Sequence, residues 1–366
     1  MSGRILGLLL VAALGAGAFL VGVTREPVRT WAIYLVNLLF WSGLAVTGPA
    51  IAGIMELMEA RWSPSVKRIA LTTIGFLPLS FLLFVVLFAG RAVLYPWVTE
   101  PIPAKAAWLN VPFMAARIGV GVLVFYGVIW MFVITALREG EGSEAAQQAD
   151  RRRRRALATT VLFLFVIVLS LFGFDLVMSL VPEWYSALFG GYFTVSTLYT
   201  GFCLLAVLTV LSNRSGAASV PPAAVQDVAK LVFATSILWM YFFWSQYLVI
   251  WYGNVPVETK FFIRRFFNDP WRILAFVILV AGWLIPFAYL LKRLTGRPPV
   301  RHGPLVFVTC LALAAIFLER MMQVFPSVTT DPVFPLGLSE LLITAGFFSL
   351  FVLGRIWFLT RFRPRL

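Results

Sequence analysis

Thiolate and imidazole metal ligands are nearly absent from this chain, which has two cysteines, Cys203 and Cys310, and one histidine, His302. An iron–sulfur cluster normally takes four cysteine ligands, and a membrane haem held by two imidazoles needs a second histidine, so the chain alone provides for neither. A CxxC pair, a P-loop, a Rossmann glycine pattern and an HExxH motif are missing as well, which removes the common redox, phosphate, dinucleotide and zinc chemistries. His302 opens an apolar run and reads as a polar residue at headgroup depth. Charge is scarce too: only 13% of residues are Asp, Glu, Lys or Arg, about half the share of a soluble domain.

What fills the space is apolar. Hydrophobic residues make up 61% of the 366 positions and the mean hydropathy is +0.91. A helix crosses the bilayer core with about 20 such residues. Ten stretches qualify, near 4–24, 31–58, 69–90, 112–137, 156–181, 185–212, 226–252, 271–293, 303–325 and 336–360. Barrel strands would be about half as long and alternate in polarity. The expectation is an all-α polytopic membrane protein, a single integral domain over 1–366. The start, Arg4 followed by "ILGLLLVAALGAGAFLVGV", has the look of a signal peptide, but no small-x-small site leads into a polar mature sequence, so it reads as a first span.

The formal charge of +14 does not point to nucleic acid, because the basic residues gather in short loops rather than on a soluble domain. With ten spans, the termini and the even-numbered loops share one side, and it holds the larger share of the 30 Lys and Arg residues, including Arg151 to Arg155. The positive-inside rule makes that side cytoplasmic and the arginine run an orientation signal. Loops are short, so redox chemistry would sit on partner chains.

Ionisable groups inside spans cost at least about 2.5–3.5 kcal/mol each and are functional candidates by default. Toward the outer side lie Arg117, Asp175, Glu319, Arg320 and Glu340, with Gln246 and Tyr247 at the same depth in "FFWSQYLVIWYGNVPVE" (242–258). Trp251 and Tyr252 suit an interfacial aromatic belt, whereas the Gln246 amide needs a polar partner that lipid does not offer. Toward the inner side lie Glu56, Lys230 and Arg355. Together they sketch two polar half-routes for protons, with Asp175 and Glu319 as the foremost carboxylates. The alternative is static pairing, as of Arg117 with Asp175 or Glu319.

At 174–192, "FDLVMSLVPEWYSALFGGY", together with "SQYLVIWYGNVPVE", "ARWSPSVKRIA" (60–70) and "WLIPFAYLLKRLTGRPP" (283–299), the chain resembles the NrfD-like membrane subunits of bacterial alternative complex III, most of all the shorter, ActF-type subunit. The resemblance spans most of the chain. It implies two four-helix bundles, about 31–181 and 185–325, with peripheral helices 4–24 and 336–360. It also implies a bacterial inner-membrane location and an accessory role in a quinol:electron-acceptor oxidoreductase, with a proton pathway in this subunit. The implied partners are a second NrfD-like subunit that oxidises quinol, an iron–sulfur protein and cytochrome c subunits. Haem c and iron–sulfur clusters would lie on those partners, with quinone nearby and lipids around. Within the family pattern DWxMSLxPxWYS, Asp175, Trp184, Tyr185 and Ser186 match, Leu176 replaces tryptophan, and Glu183 stands where histidine is common.

Three other roles remain at this stage: a direct quinone-binding anchor, a structural scaffold, and a lone transporter. The last would use broken helices at the midplane, for which Pro49, Pro78 and Pro286, with Gly48 and Gly282, offer breaks.

Overall fold

The computed structural model describes residues 3–60, 64–138, 143–294, 299–329 and 334–362. Residues 61–63 and 295–298, within two of the motifs quoted above, lie outside the described residues. Ten helices among those described are long and apolar enough to cross a membrane: Gly3–Arg25, Pro27–Leu57, Pro64–Leu94, Val111–Leu137, Gln147–Leu180, Leu188–Arg214, Pro222–Gly253, Trp271–Arg293, His302–Val328 and Leu338–Phe362. No strand occurs among the described residues. The chain is therefore an all-α, multi-pass membrane protein. Each span lies where hydropathy places it. Two features were not anticipated: the fifth helix begins at Glu144, carrying the arginine run on helical backbone, and a short helix, Pro256–Phe266, follows the seventh span.

Spans two to five pack in a ring, two against three and five, four against three and five; spans six to nine repeat the arrangement. The rings meet where the second span touches the sixth and ninth and the fifth touches the sixth. Spans one and ten pair with each other outside the first ring, against spans two and three. The second span is thus the axis of the molecule, with 89% of its most apolar window buried. Close approach explains two of its neighbours' glycines. A Cβ at Gly201 would fall 1.9 Å from Thr47 Cγ2, and one at Gly75 would fall 2.0 Å from the Gly354 carbonyl oxygen, so the joints between spans two and six and between spans three and ten admit no side chain.

Prolines inside the spans leave the carbonyl four residues earlier without its helical donor, and in lipid such a group must be satisfied by a neighbour. Three cases are resolved by side chains. Pro49 leaves Ala45 O, which accepts from Thr73 Oγ1 at 2.9 Å; Pro286 leaves Gly282 O, which accepts from Tyr199 Oη at 2.8 Å; Pro326 leaves Met322 O, which accepts from Arg265 Nε at 3.1 Å. The spans stay helical through these points: the chain near Pro78 tightens to a 3-10 turn at Thr72–Phe76 and that near Pro286 widens to a π turn at Val280–Leu284. The extended midplane break that a lone transporter would use is not found among the described residues.

Candidate functional site

The connections 1–2, 3–4, 5–6, 7–8 and 9–10 share one face of the molecule, called here the odd face; the remaining connections form the even face. Toward the odd face, where the two rings meet, the ninth span presents Glu319, Arg320 and Gln323, all buried. The Glu319 carboxylate is wholly inaccessible and accepts from Ser196 Oγ at 2.8 Å and from Gln323 Nε2 at 3.0 Å. Arg320 turns the other way. It donates to Gln323 Oε1 at 3.0 Å, Thr197 Oγ1 at 3.0 Å and Phe193 O at 3.3 Å, and its guanidinium lies 3.9 Å from the centre of the Phe193 ring. One amide, Gln323, therefore links carboxylate to guanidinium, an arrangement the i, i+4 helical spacing makes natural. Tyr192 faces the same carboxylate. Glu319 is held by neutral donors, so its contacts serve a carboxylate or a carboxylic acid.

Asp175 has a different setting. It sits in a π turn, Phe172–Val177, at the end of the fifth span, and takes a two-pronged grip from Arg117, Nε to Oδ2 and Nη2 to Oδ1 at 3.0 Å each, plus Trp108 Nε1 at 2.9 Å. Arg117 packs against the rings of Trp108 and Phe113, 3.9 and 4.2 Å from their centres. Bidentate charge-assisted bonding of this kind is strong and fixes the geometry of the pair. The static-pair alternative is the one that describes Arg117 and Asp175.

Gln246 finds its polar company. Its Oε1 is buried with no hydrogen-bond partner and lines a cavity of about 30 Å³ together with Tyr192, Arg265 and Gln323. That is room for a water, which needs about 10–15 Å³, and far too little for a quinone ring. Arg265, from the short helix, is the residue that sequence reading missed. It is 3% exposed and donates to Phe261 O, Met322 O, Gln323 O and Ser327 Oγ, while stacking on Phe261. Burial, with Arg264 beside it, presses its guanidinium below the ordinary range, and the four acceptors favour the charged form. Phe261 in turn stacks on Trp184 of the "PEWYS" motif, ring centres 3.7 Å apart. The motif and the short helix thus brace the Glu319 cluster from the odd face. Tyr247 belongs to an aromatic group with Trp244, Trp251, Phe262 and Phe266, not to the polar cluster.

The other sequence candidates do not converge on these groups. Glu340 is an ion pair with Arg29, at 2.7 Å, and accepts from Gly337 N, tying spans two and ten at the odd-face rim. Lys230 lies on an exposed face of the seventh span, paired with Asp227 one turn earlier, so the inner half-route loses this member. Its long stem lets it reach toward the interface. Arg355 donates to Thr72 Oγ1 at 2.9 Å, holding the tenth span to the 3-10 turn of the third. Glu56, at the even end of the second span, is bound by Lys67 and by Arg154 Nε at 3.1 Å. Between Thr47, which reaches the sixth span, and Glu56 the second span rises about 13 Å through residues such as Ala50, Ile51 and Ala52. The two polar groups therefore face opposite ends of an apolar stretch of that span. Helical spacing was the signal available for Gln323; Ser196, Thr197 and Tyr192 on another span had none.

Compared with known proteins, the chain matches no protein-family model, and a search of the curated proteins finds no match.

Proposed function

We propose that the chain is a cofactor-free, NrfD-like membrane subunit of a bacterial alternative complex III, of the ActF type, and that the Glu319 cluster holds the proton that this subunit passes. The observation that carries the proton reading is the buried Glu319 carboxyl itself, bound by Ser196 and Gln323, with a water-sized cavity at Gln246 and Gln323 beside the cluster. A buried carboxyl that sheds and regains a proton needs partners suited to both forms and a water within reach. The resemblance of four ordered motifs supports the membership. In this reading the chain is an accessory subunit in the bacterial inner membrane with both termini cytoplasmic, beside a quinol-oxidising NrfD-like subunit, an iron–sulfur protein and cytochromes c. Those partners carry the haem and clusters. The Asp175 clamp serves packing, and the crevice at Gln246 takes water rather than quinone.

Glu319→Gln is the test. The amide keeps the volume and the Ser196 contact, so the complex is expected to assemble and oxidise quinol while protons released per electron fall to the share that quinol chemistry alone supplies. Unchanged proton stoichiometry in an assembled Glu319→Gln complex would remove Glu319 from the pathway.

A further inference from the structure

On the even face, the ends of the second, third and fifth spans enclose an open pocket of about 560 Å³, lined by Lys67, Arg151, Arg154 and Arg155 together with Glu56 and Glu59. Its volume falls in the range of small-ligand sites, about 300–1,000 Å³. The arginine run, read from sequence as an undivided orientation signal, is divided by the helix that carries it. Arg151, Arg154 and Arg155 are spaced i, i+3, i+4 and line the pocket, while Arg152 and Arg153 are exposed and do not line it. Positions three and four apart share a helix face.

Four cations against two carboxylates leave the pocket with a surplus of positive charge. Glu56 is engaged by Lys67 and Arg154, and Glu59 by Arg155. Those pairs orient the basic side chains around the opening without cancelling them. Planar guanidinium forks match phosphate oxygens in pairs, which a lone ammonium does not. The pocket also sits where apolar spans end, the depth at which phospholipid headgroups lie. We infer that it is a binding site for the phosphate of an anionic phospholipid, held by Arg151, Arg154 and Arg155 at the joint of spans two, three and five. Basic pockets between spans are the usual setting for such headgroups.

The test uses the full-length protein, stripped of lipid in a neutral detergent and titrated with phosphatidylglycerol, bound lipid being counted by native mass spectrometry. One phosphatidylglycerol is expected to stay bound, phosphatidylcholine to bind much more weakly, and millimolar inorganic phosphate not to displace the lipid. The double variant Arg151→Gln/Arg155→Gln spares the buried Arg154–Glu56 pair and should bind about thirtyfold more weakly, two surface cations being lost. Arg152→Gln/Arg153→Gln removes the same charge from outside the pocket and should change binding less than about threefold. Equal losses in the two double variants would reduce the effect to general electrostatics and overturn the site. Equal retention of phosphatidylcholine would overturn its charge selectivity, and displacement by inorganic phosphate would make it a soluble-anion site instead.

Discussion

Asp175→Leu is expected to destabilise the protein by about 3–5 kcal/mol, because it strands the Arg117 guanidinium in a buried site. Arg117 is 10% exposed and Asp175 wholly inaccessible in the pair, and the lost grip includes two bonds at 3.0 Å and the Trp108 N–H. Lipid offers the stranded cation no counter-charge, although the Trp108 carbonyl, 3.2 Å from Nη2, and the Trp108 and Phe113 faces soften the loss. Replacing both partners, Asp175→Leu with Arg117→Met, should return most of the stability, since an apolar pair of similar volume avoids burying charge at all. Thermal unfolding of the two single variants and the double variant in one detergent measures this coupling. A single variant as stable as the parent would mean that the clamp is not structural, and would restore Asp175 as a proton candidate beside Glu319.

Arg265→Leu comes next in size, at roughly 3 kcal/mol or more, since one side chain satisfies Met322 O, Gln323 O and Ser327 Oγ at the end of the ninth span. The short helix Pro256–Phe266 should then come away from the span it braces, and trypsin should cut faster at Lys260 and Arg264, which the parent holds on helical backbone. The cause is specific. Met322 O depends on Arg265 because Pro326 has no N–H to give it. In a Pro326→Ala background the carbonyl regains a helical donor, so the same Arg265→Leu change should cost about 1 kcal/mol less. Equal losses in the two backgrounds would show that Arg265 acts through its other contacts, to Gln323 O, Ser327 Oγ and Phe261, rather than through the freed carbonyl.

Hydropathy sufficed for the ten spans because crossing a bilayer is a requirement on length and polarity that each segment meets by itself. It was silent on the short helix Pro256–Phe266, which is amphipathic and too short to cross, and so on Arg265, whose guanidinium donates to four acceptors. It placed Asp175 and Glu319 at similar depth and could not tell them apart. Their difference lies in partners brought from other elements: Arg117 and Trp108 for the first, Ser196 with the neighbouring Gln323 for the second. Lys230 shows the opposite error. A lysine near a span end has the sequence signature of a pathway residue, but which way it faces depends on the packing of the seventh span, and it faces outward beside Asp227. Pro49 and Pro286 were visible as interruptions, while Pro326 was not singled out and the side chains that satisfy the three freed carbonyls were not visible.

The central claim, that this chain works as a cofactor-free subunit among redox partners, is tested most directly by purifying it from its native membrane in a mild detergent and reading haem and iron absorbance on the eluate. The account predicts c-type haem and iron–sulfur signal co-purifying in fixed proportion to the chain, with quinol-dependent reduction of the haem. A colourless single polypeptide that stays folded through several detergents would contradict it.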